Sequence, residues 1–150
     1  MPASLSQLMT PEVIDLDMRE TSLAGVVKHL SGLLSNNPDV ENCDAFCKDV
    51  LASEALSNTA LGNGVAFPHA RSDAVKQIVV VAGRTREGVR LGDEGPPVHL
   101  FFLIGTPKAM IAEYLALVSR LARRLRSETM QKQLMTVSSP EEFAALVAAE

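Results

Sequence analysis

Asn58-Thr59-Ala60-Leu61-Gly62-Asn63-Gly64-Val65-Ala66-Phe67-Pro68-His69-Ala70-Arg71 passes from a turn-rich run into a short apolar strand, then reaches a histidine directly behind a proline. The segment from Ser57 to Gly64 has neither helical nor strand period. Its glycines permit positive φ and close approach of another molecule to the backbone. Pro68 fixes its own φ and biases Phe67 towards an extended shape, so His69 follows a rigid strand end. An imidazole held there, with one ring nitrogen oriented by a partner, leaves the other nitrogen free as a nucleophile. Backbone N–H groups of a Gly-rich turn can stabilise phosphoryl oxygens, and Arg71 can add a charge-assisted contact. A histidine after proline is also compatible with a plain structural role.

Working outward, Ile78 to Ala82 and Val98 to Ile104 are nearly continuous apolar runs, which suit strands of a sheet covered on both faces. Arg90-Leu91 reads as a short strand between them. Val13, Ile14, Leu16 and Met18 alternate with Asp15 and Asp17 as a first strand. Leu23, Val26, Val27, Leu30, Leu33 and Leu34 follow helical spacing behind the capping residues Thr21 and Ser22. Asn36-Asn37-Pro38 stops that helix and, with Pro38 at a first helical position, starts a second through about Leu56. Its apolar face carries Val40, Cys43, Cys47, Val50 and Leu51. Thr106-Pro107 starts a long helix with Ile111, Tyr114, Leu115, Val118, Leu121, Ala122 and Leu125 at helical spacing. Residues 128–135 form a short helix, and Ser139-Pro140-Glu141-Glu142 begins the last. The interleaving of helices and strands predicts a single α/β domain, a mixed central sheet flanked by helices on both faces, over residues 11–150. Residues 1–10 read as a loose leader.

The 150 residues suit one domain. No Trp is present, so the core is aliphatic with a few Phe. A formal net charge of −4 gives no reason to expect nucleic-acid binding. The charge is uneven: residues 1–75 hold four Lys/Arg against ten Asp/Glu, and residues 76–150 hold ten against eight. Arg120, Arg123, Arg124 and Arg126 form either a solvated helix face or a docking patch for an acidic partner. Cys43 and Cys47 share a helix face and read as buried free thiols. Two cysteines lack the further ligands zinc needs, and His29, His69 and His99 show no metal-ligand spacing. His29 and His99 read as structural. The N-terminus carries no signal-peptide pattern, no apolar run reaches membrane-spanning length, and no GKS/GKT loop points to direct ATP use. These features predict a cytoplasmic protein without membrane insertion.

Thr59-x-x-Gly62-x-Gly64-Val65-Ala66-x-Pro68-His69 resembles the phosphorylation-site segment of the fructose/mannitol-type enzyme IIA family, including its nitrogen-regulatory branch, of the bacterial phosphoenolpyruvate:sugar phosphotransferase system. The resemblance extends as a pattern over most of the chain. It implies the mannitol-type enzyme IIA fold, with no tightly bound cofactor. It implies phosphate acceptance on His69 from the phosphohistidine of HPr or a nitrogen-branch HPr-like carrier. The partner beyond that is an enzyme IIB domain or a regulated target protein. Thr59, Gly62, Asn63, Gly64 and Glu54 are the supporting residues that match its pattern, and Arg71 and Tyr114 are further candidates from their own chemistry and position. Two positions depart from the family pattern. Ser53 precedes Glu54 where many members have arginine, and Tyr114 occupies the place of a second histidine. A tyrosine hydroxyl hydrogen-bonds phosphate or imidazole but carries no positive charge. Those departures favour, as the alternative, a regulatory protein-binding module that is phosphorylated slowly or not at all.

Overall fold

The computed structural model describes residues 4–56, 64–91 and 96–149, with the side chains of residues 54–56 left aside. In chain order the elements are α1 (Leu5–Leu8), β1 (Ile14–Asp15), α2 (Leu23–Gly32), α3 (Cys43–Leu56), β2 (Val65–Ala66) and β3 (His69–Arg71). Then follow β4 (Val79–Val89), β5 (Val98–Thr106), α4 (Ile111–Leu125), α5 (Glu128–Thr136) and α6 (Pro140–Ala148).

One mixed sheet runs through the middle. β4 and β5 pair antiparallel, β1 lies parallel on the outer side of β4, and β2 and β3 both lie parallel on the far side of β5. The alternation of β5 sorts the core into two layers. Leu100, Phe102 and Ile104 pack with Leu121, Leu125, Leu134 and Phe143 under α4, α5 and α6. Phe101 and Leu103 face the other way, towards Val26, Leu30, Phe46 and Val50 of α2 and α3. Both faces are covered, which is why the strand reads as an unbroken apolar run. Each fully buried Phe contributes about 1.5–3 kcal/mol of transfer free energy.

Local signals set several boundaries. The Ser22 hydroxyl accepts from Gly25 N at 3.0 Å and opens α2. Ser139 accepts from Glu142 N at 3.1 Å, with Pro140 at the first position of α6. Other boundaries differ from the sequence reading. The segment expected as a loose leader holds α1, whose Leu5 and Met9 are buried against the α6 layer. The Gln7 side-chain oxygen accepts from Ser4 N at 2.9 Å and starts that turn.

The second helix begins at Cys43 rather than Pro38, because Asn42 Oδ1 accepts from Ala45 N at 3.0 Å. The residues before it are diverted into an antiparallel bridge, Val40 to Val75, with Glu41 N donating to Ala74 O at 2.8 Å. Phe46, not a cysteine, fills the buried centre of α3. Cys43 and Cys47 are free and half-buried, and burial pushes the Cys43 thiol pKa up. β4 runs on to Val89, so Arg90-Leu91 forms no strand of its own. Thr106 stays in β5, and a 3-10 turn over Lys108–Met110 precedes α4.

Candidate functional site

His69 opens β3, opposite Ile104 of β5, and Ile104 N donates to Pro68 O at 2.9 Å. The sequence reading placed it just past a strand. Instead, β2 and β3 are two halves of one edge, interrupted at Phe67-Pro68, and the histidine starts the second half. Alternation along β3 buries Ala70 against the α3 layer, so His69 and Arg71 share the α4 side.

The His69 ring is oriented by the backbone. Its Nδ1 lies 2.8 Å from the carbonyl oxygen of Phe67. A carbonyl only accepts, so Nδ1 donates, and Nε2 carries the lone pair. The ring of Tyr114, on α4, stands 5.8 Å from the His69 ring, centroid to centroid, tilted by 39°. Tyr114 is buried, at 7% exposure. Burial pushes its hydroxyl up to about 12, against the opposing pull of the Arg71 charge. Tyr114 is therefore a neutral donor throughout the physiological range, and Arg71 lies close enough to act on it.

The strand end is tied to α3. Ser72 is buried, and its hydroxyl donates to Asp49 Oδ2 at 2.6 Å and accepts from Ala74 N at 3.1 Å. Ser72 N donates to Thr106 O at 3.0 Å. α3 also presses on β5 at Gly105, where an added Cβ would stand 2.6 Å from Phe46 Cε1. Thus the helix that leads into the motif is held both to the end of the strand that carries His69 and to β5, on which that strand pairs.

Of the other assigned residues, Gly64 has φ +87° and its carbonyl accepts from both His99 N and Leu100 N, at 2.9 and 3.0 Å. Positive φ explains glycine at that position. Thr59, Gly62 and Asn63 lie outside the described residues, as does the side chain of Glu54 on α3. The rings of His29 and His99 have partners of their own. His29 Nε2 lies 2.6 Å from Asp15 Oδ2, and His99 Nδ1 donates to Thr85 O at 3.0 Å. Among the described residues no group of three or more His, Cys, Asp or Glu side chains is placed to hold a metal ion.

Sequence reasoning missed the Phe67 carbonyl and the Asp49–Ser72 bond. It also missed Arg84, a buried guanidinium on β4. Arg84 donates to Leu16 O at 3.0 Å, Leu134 O at 2.9 Å and Val137 O at 2.8 Å.

A three-layer domain with a backbone-oriented imidazole at an edge strand defines a class of small α/β proteins built around one partly accessible histidine. The family model described as "Phosphoenolpyruvate-dependent sugar phosphotransferase system, EIIA 2" matches residues 7–150, and the chain belongs to that family. The crystal structure of the nitrogen regulatory protein IIA-Ntr from Neisseria meningitidis superposes with a TM-score of 0.88 at 33% identity, covering 95% of this chain and 98% of that one. The fructose-specific EIIA component of Haloferax volcanii is 28% identical over 138 residues, 91% of this chain and 90% of that protein. The fructose-specific EIIABC component of Bacillus subtilis is 26% identical over 144 residues, 95% of this chain, which spans 23% of that longer protein. The domain is thereby of the enzyme IIA type, the class that holds both sugar-system phosphocarriers and nitrogen-regulatory proteins. No helix of the described residues is long and apolar enough to cross a membrane.

Proposed function

We propose that this domain accepts a phosphoryl group on Nε2 of His69 from the phosphohistidine of HPr or an HPr-like carrier, in the cytoplasm. The observation that carries the reading is the bond from His69 Nδ1 to Phe67 O, which leaves Nε2 as the nucleophile. In the transfer, the Nε2 lone pair forms the new N–P bond while the donor's N–P bond breaks. The electron pair of the broken bond returns to the donor imidazole. The positive charge that develops on the His69 ring is shared with the Phe67 carbonyl. Bonds made and broken are both phosphoramidates, so positioning and stabilisation of the phosphoryl oxygens carry the rate. Tyr114 supplies a neutral O–H for one oxygen and Arg71 a charge for another. The phosphate then passes to an enzyme IIB domain or marks the domain for a regulated target.

A second reading, a binding module phosphorylated slowly or not at all, draws support from Tyr114 standing where a second imidazole would be, and from Ser53 in place of arginine. One experiment separates the two. Purified protein is mixed with phosphorylated HPr or its nitrogen-branch counterpart, and acid-labile, base-stable phosphate is followed by intact mass. Rapid labelling that His69→Ala abolishes supports the carrier. Labelling absent with both donors removes it in favour of the binding module.

A further inference from the structure

Leu121 and Leu125 turn one side of α4 into the core. At about 100° per residue, the opposite side carries Ala112, Leu115, Ala116, Ser119, Arg123 and Arg126, and all six are exposed. Leu115 is 59% exposed, the one large apolar side chain among the described residues to stand in solvent. A lone exposed leucine is ordinary. This one shares its face with two alanines and is followed along the helix by cations.

The second half of α4 is charged with one sign. Arg120, Arg123, Arg124 and Arg126 follow one another, and Glu113 is the only acidic residue from 111 to 126, in a chain of net charge −4. The negative end of the helix accounts for cations in its last turn. It does not account for Arg120, which stands a turn earlier, or for Leu115. Arg120, Arg123 and Arg124 also line a cleft of about 320 Å³ with Ala149 at the end of α6. Arg124 Nη2 donates to Leu146 O at 2.8 Å, which fixes one wall of that cleft. Among the described residues neither Arg123 nor Arg126 has an acidic partner.

We propose that the outer face of α4, from Leu115 to Arg126, is a docking surface for an acidic segment of a partner protein. An apolar side chain of that segment covers Leu115, and its carboxylates meet Arg123 and Arg126 and enter the cleft beside Arg124. Guanidinium forks suit carboxylates, which they hold through two parallel bonds. A basic segment meets like charge. Nucleic acid offers phosphates to the arginines, but it has no aliphatic group for Leu115 and is repelled by the acidic remainder of the chain. Leu115 follows Tyr114, whose ring is 5.8 Å from that of His69, and Arg126 lies about 16 Å further along the helix axis. The surface therefore begins beside the candidate site and runs away from it. It goes beyond phosphate acceptance at His69 and does not depend on it.

The test is a titration of isotope-labelled protein with a synthetic peptide of about ten residues, glutamates around a central pair of leucines, read on backbone amides. The expected result is a set of shifts centred on α4 between Leu115 and Arg126. Binding weakens about tenfold or more in Arg123→Glu/Arg126→Glu, and about threefold or more in Leu115→Ser. A sister peptide with lysine in place of glutamate leaves the α4 amides unchanged. Four results overturn the proposal: no shift on α4, equal binding by the lysine peptide, binding that neither variant weakens, or tighter binding by an oligothymidine than by the glutamate peptide. The substituted side chains are exposed, and the ligand comparisons are made on the unaltered protein, so they hold even where a variant folds poorly.

Discussion

The ring of Tyr114 lies 5.8 Å from the ring of His69, tilted by 39°, and its hydroxyl stays protonated up to about 12. An aromatic group packs the imidazole while offering one fixed donor and no charge. The site therefore has a single imidazole where a two-histidine arrangement would have two.

Replacing Tyr114 with Phe keeps the ring and removes only the hydroxyl. If that hydroxyl meets a phosphoryl oxygen, a hydrogen bond to a charged group is lost, worth about 1.5–3 kcal/mol. Transfer from phosphorylated carrier to Tyr114→Phe is expected to slow by about 10- to 100-fold, with labelling still confined to His69. Single-turnover quench measurements check it, and an unchanged rate removes Tyr114 from the phosphate's surroundings.

Tyr114 is the one tyrosine in a chain with no Trp, so tyrosinate absorbance reports this group alone. In the folded protein its ionisation is expected at about 12, raised from 10.0 chiefly by burial. The raised value means that the folded state holds the proton more tightly than the unfolded chain does. The associated stability is complete below pH 10 and is lost as pH rises from 10 to about 12. The loss is on the order of 2–3 kcal/mol. Urea melts at stepped alkaline pH should show this decline in the parent and not in Tyr114→Phe. Arg71→Ala, which removes the opposing charge, should move the ionisation higher still.

Gly105 has room for nothing larger than hydrogen, since a Cβ would meet Phe46 Cε1 at 2.6 Å and Cζ at 2.7 Å. Both belong to a fully buried ring, so Gly105→Ala must push α3 away from β5. The expected loss is about 1–3 kcal/mol in chemical denaturation. Because β5 pairs at Gly105 with Ala70, next to His69 on β3, the transfer rate should fall as well. A Gly105→Ala protein of full stability would mean that α3 moves freely there.

Arg84→Met removes the guanidinium and leaves the carbonyls of Leu16, Leu134 and Val137 without their donor. Unsatisfied buried acceptors cost about 1–3 kcal/mol each before relaxation. A fall in stability of at least about 2 kcal/mol is expected. Arg84→Lys should recover little, since one ammonium does not reproduce the planar fork. Thermal and urea unfolding of the two variants decide the point.

Much of this arrangement was legible in the residues. Val98 to Ile104 reads as a strand because burial on both faces leaves no polar interruption. Tyr114, Leu121 and Leu125 keep helical spacing because one face of α4 meets the sheet. His69 stood out because proline fixes the chain just before it. What stayed hidden depended on partners far away or on atoms without a side-chain signature. The Phe67 carbonyl belongs to the backbone, and no residue type announces it. Asp49 and Ser72 meet only after α3 folds over β3. Pro38 looked like a helix start because the bridge from Val40 to Val75 cannot be read locally. Arg84 looked like one more soluble cation, since its three carbonyl partners lie in distant segments.

α1 and α6 pack against each other, Leu5 and Met9 meeting the layer that contains Phe143 and Val147. Entry to the domain and exit from it therefore lie side by side. A polypeptide can pass through such a unit as thread passes through a bead, leaving near where it arrived, and carry it without stretching what stands on either side. Architecture of this kind suits a module that can serve in a short protein or be spliced into a longer one.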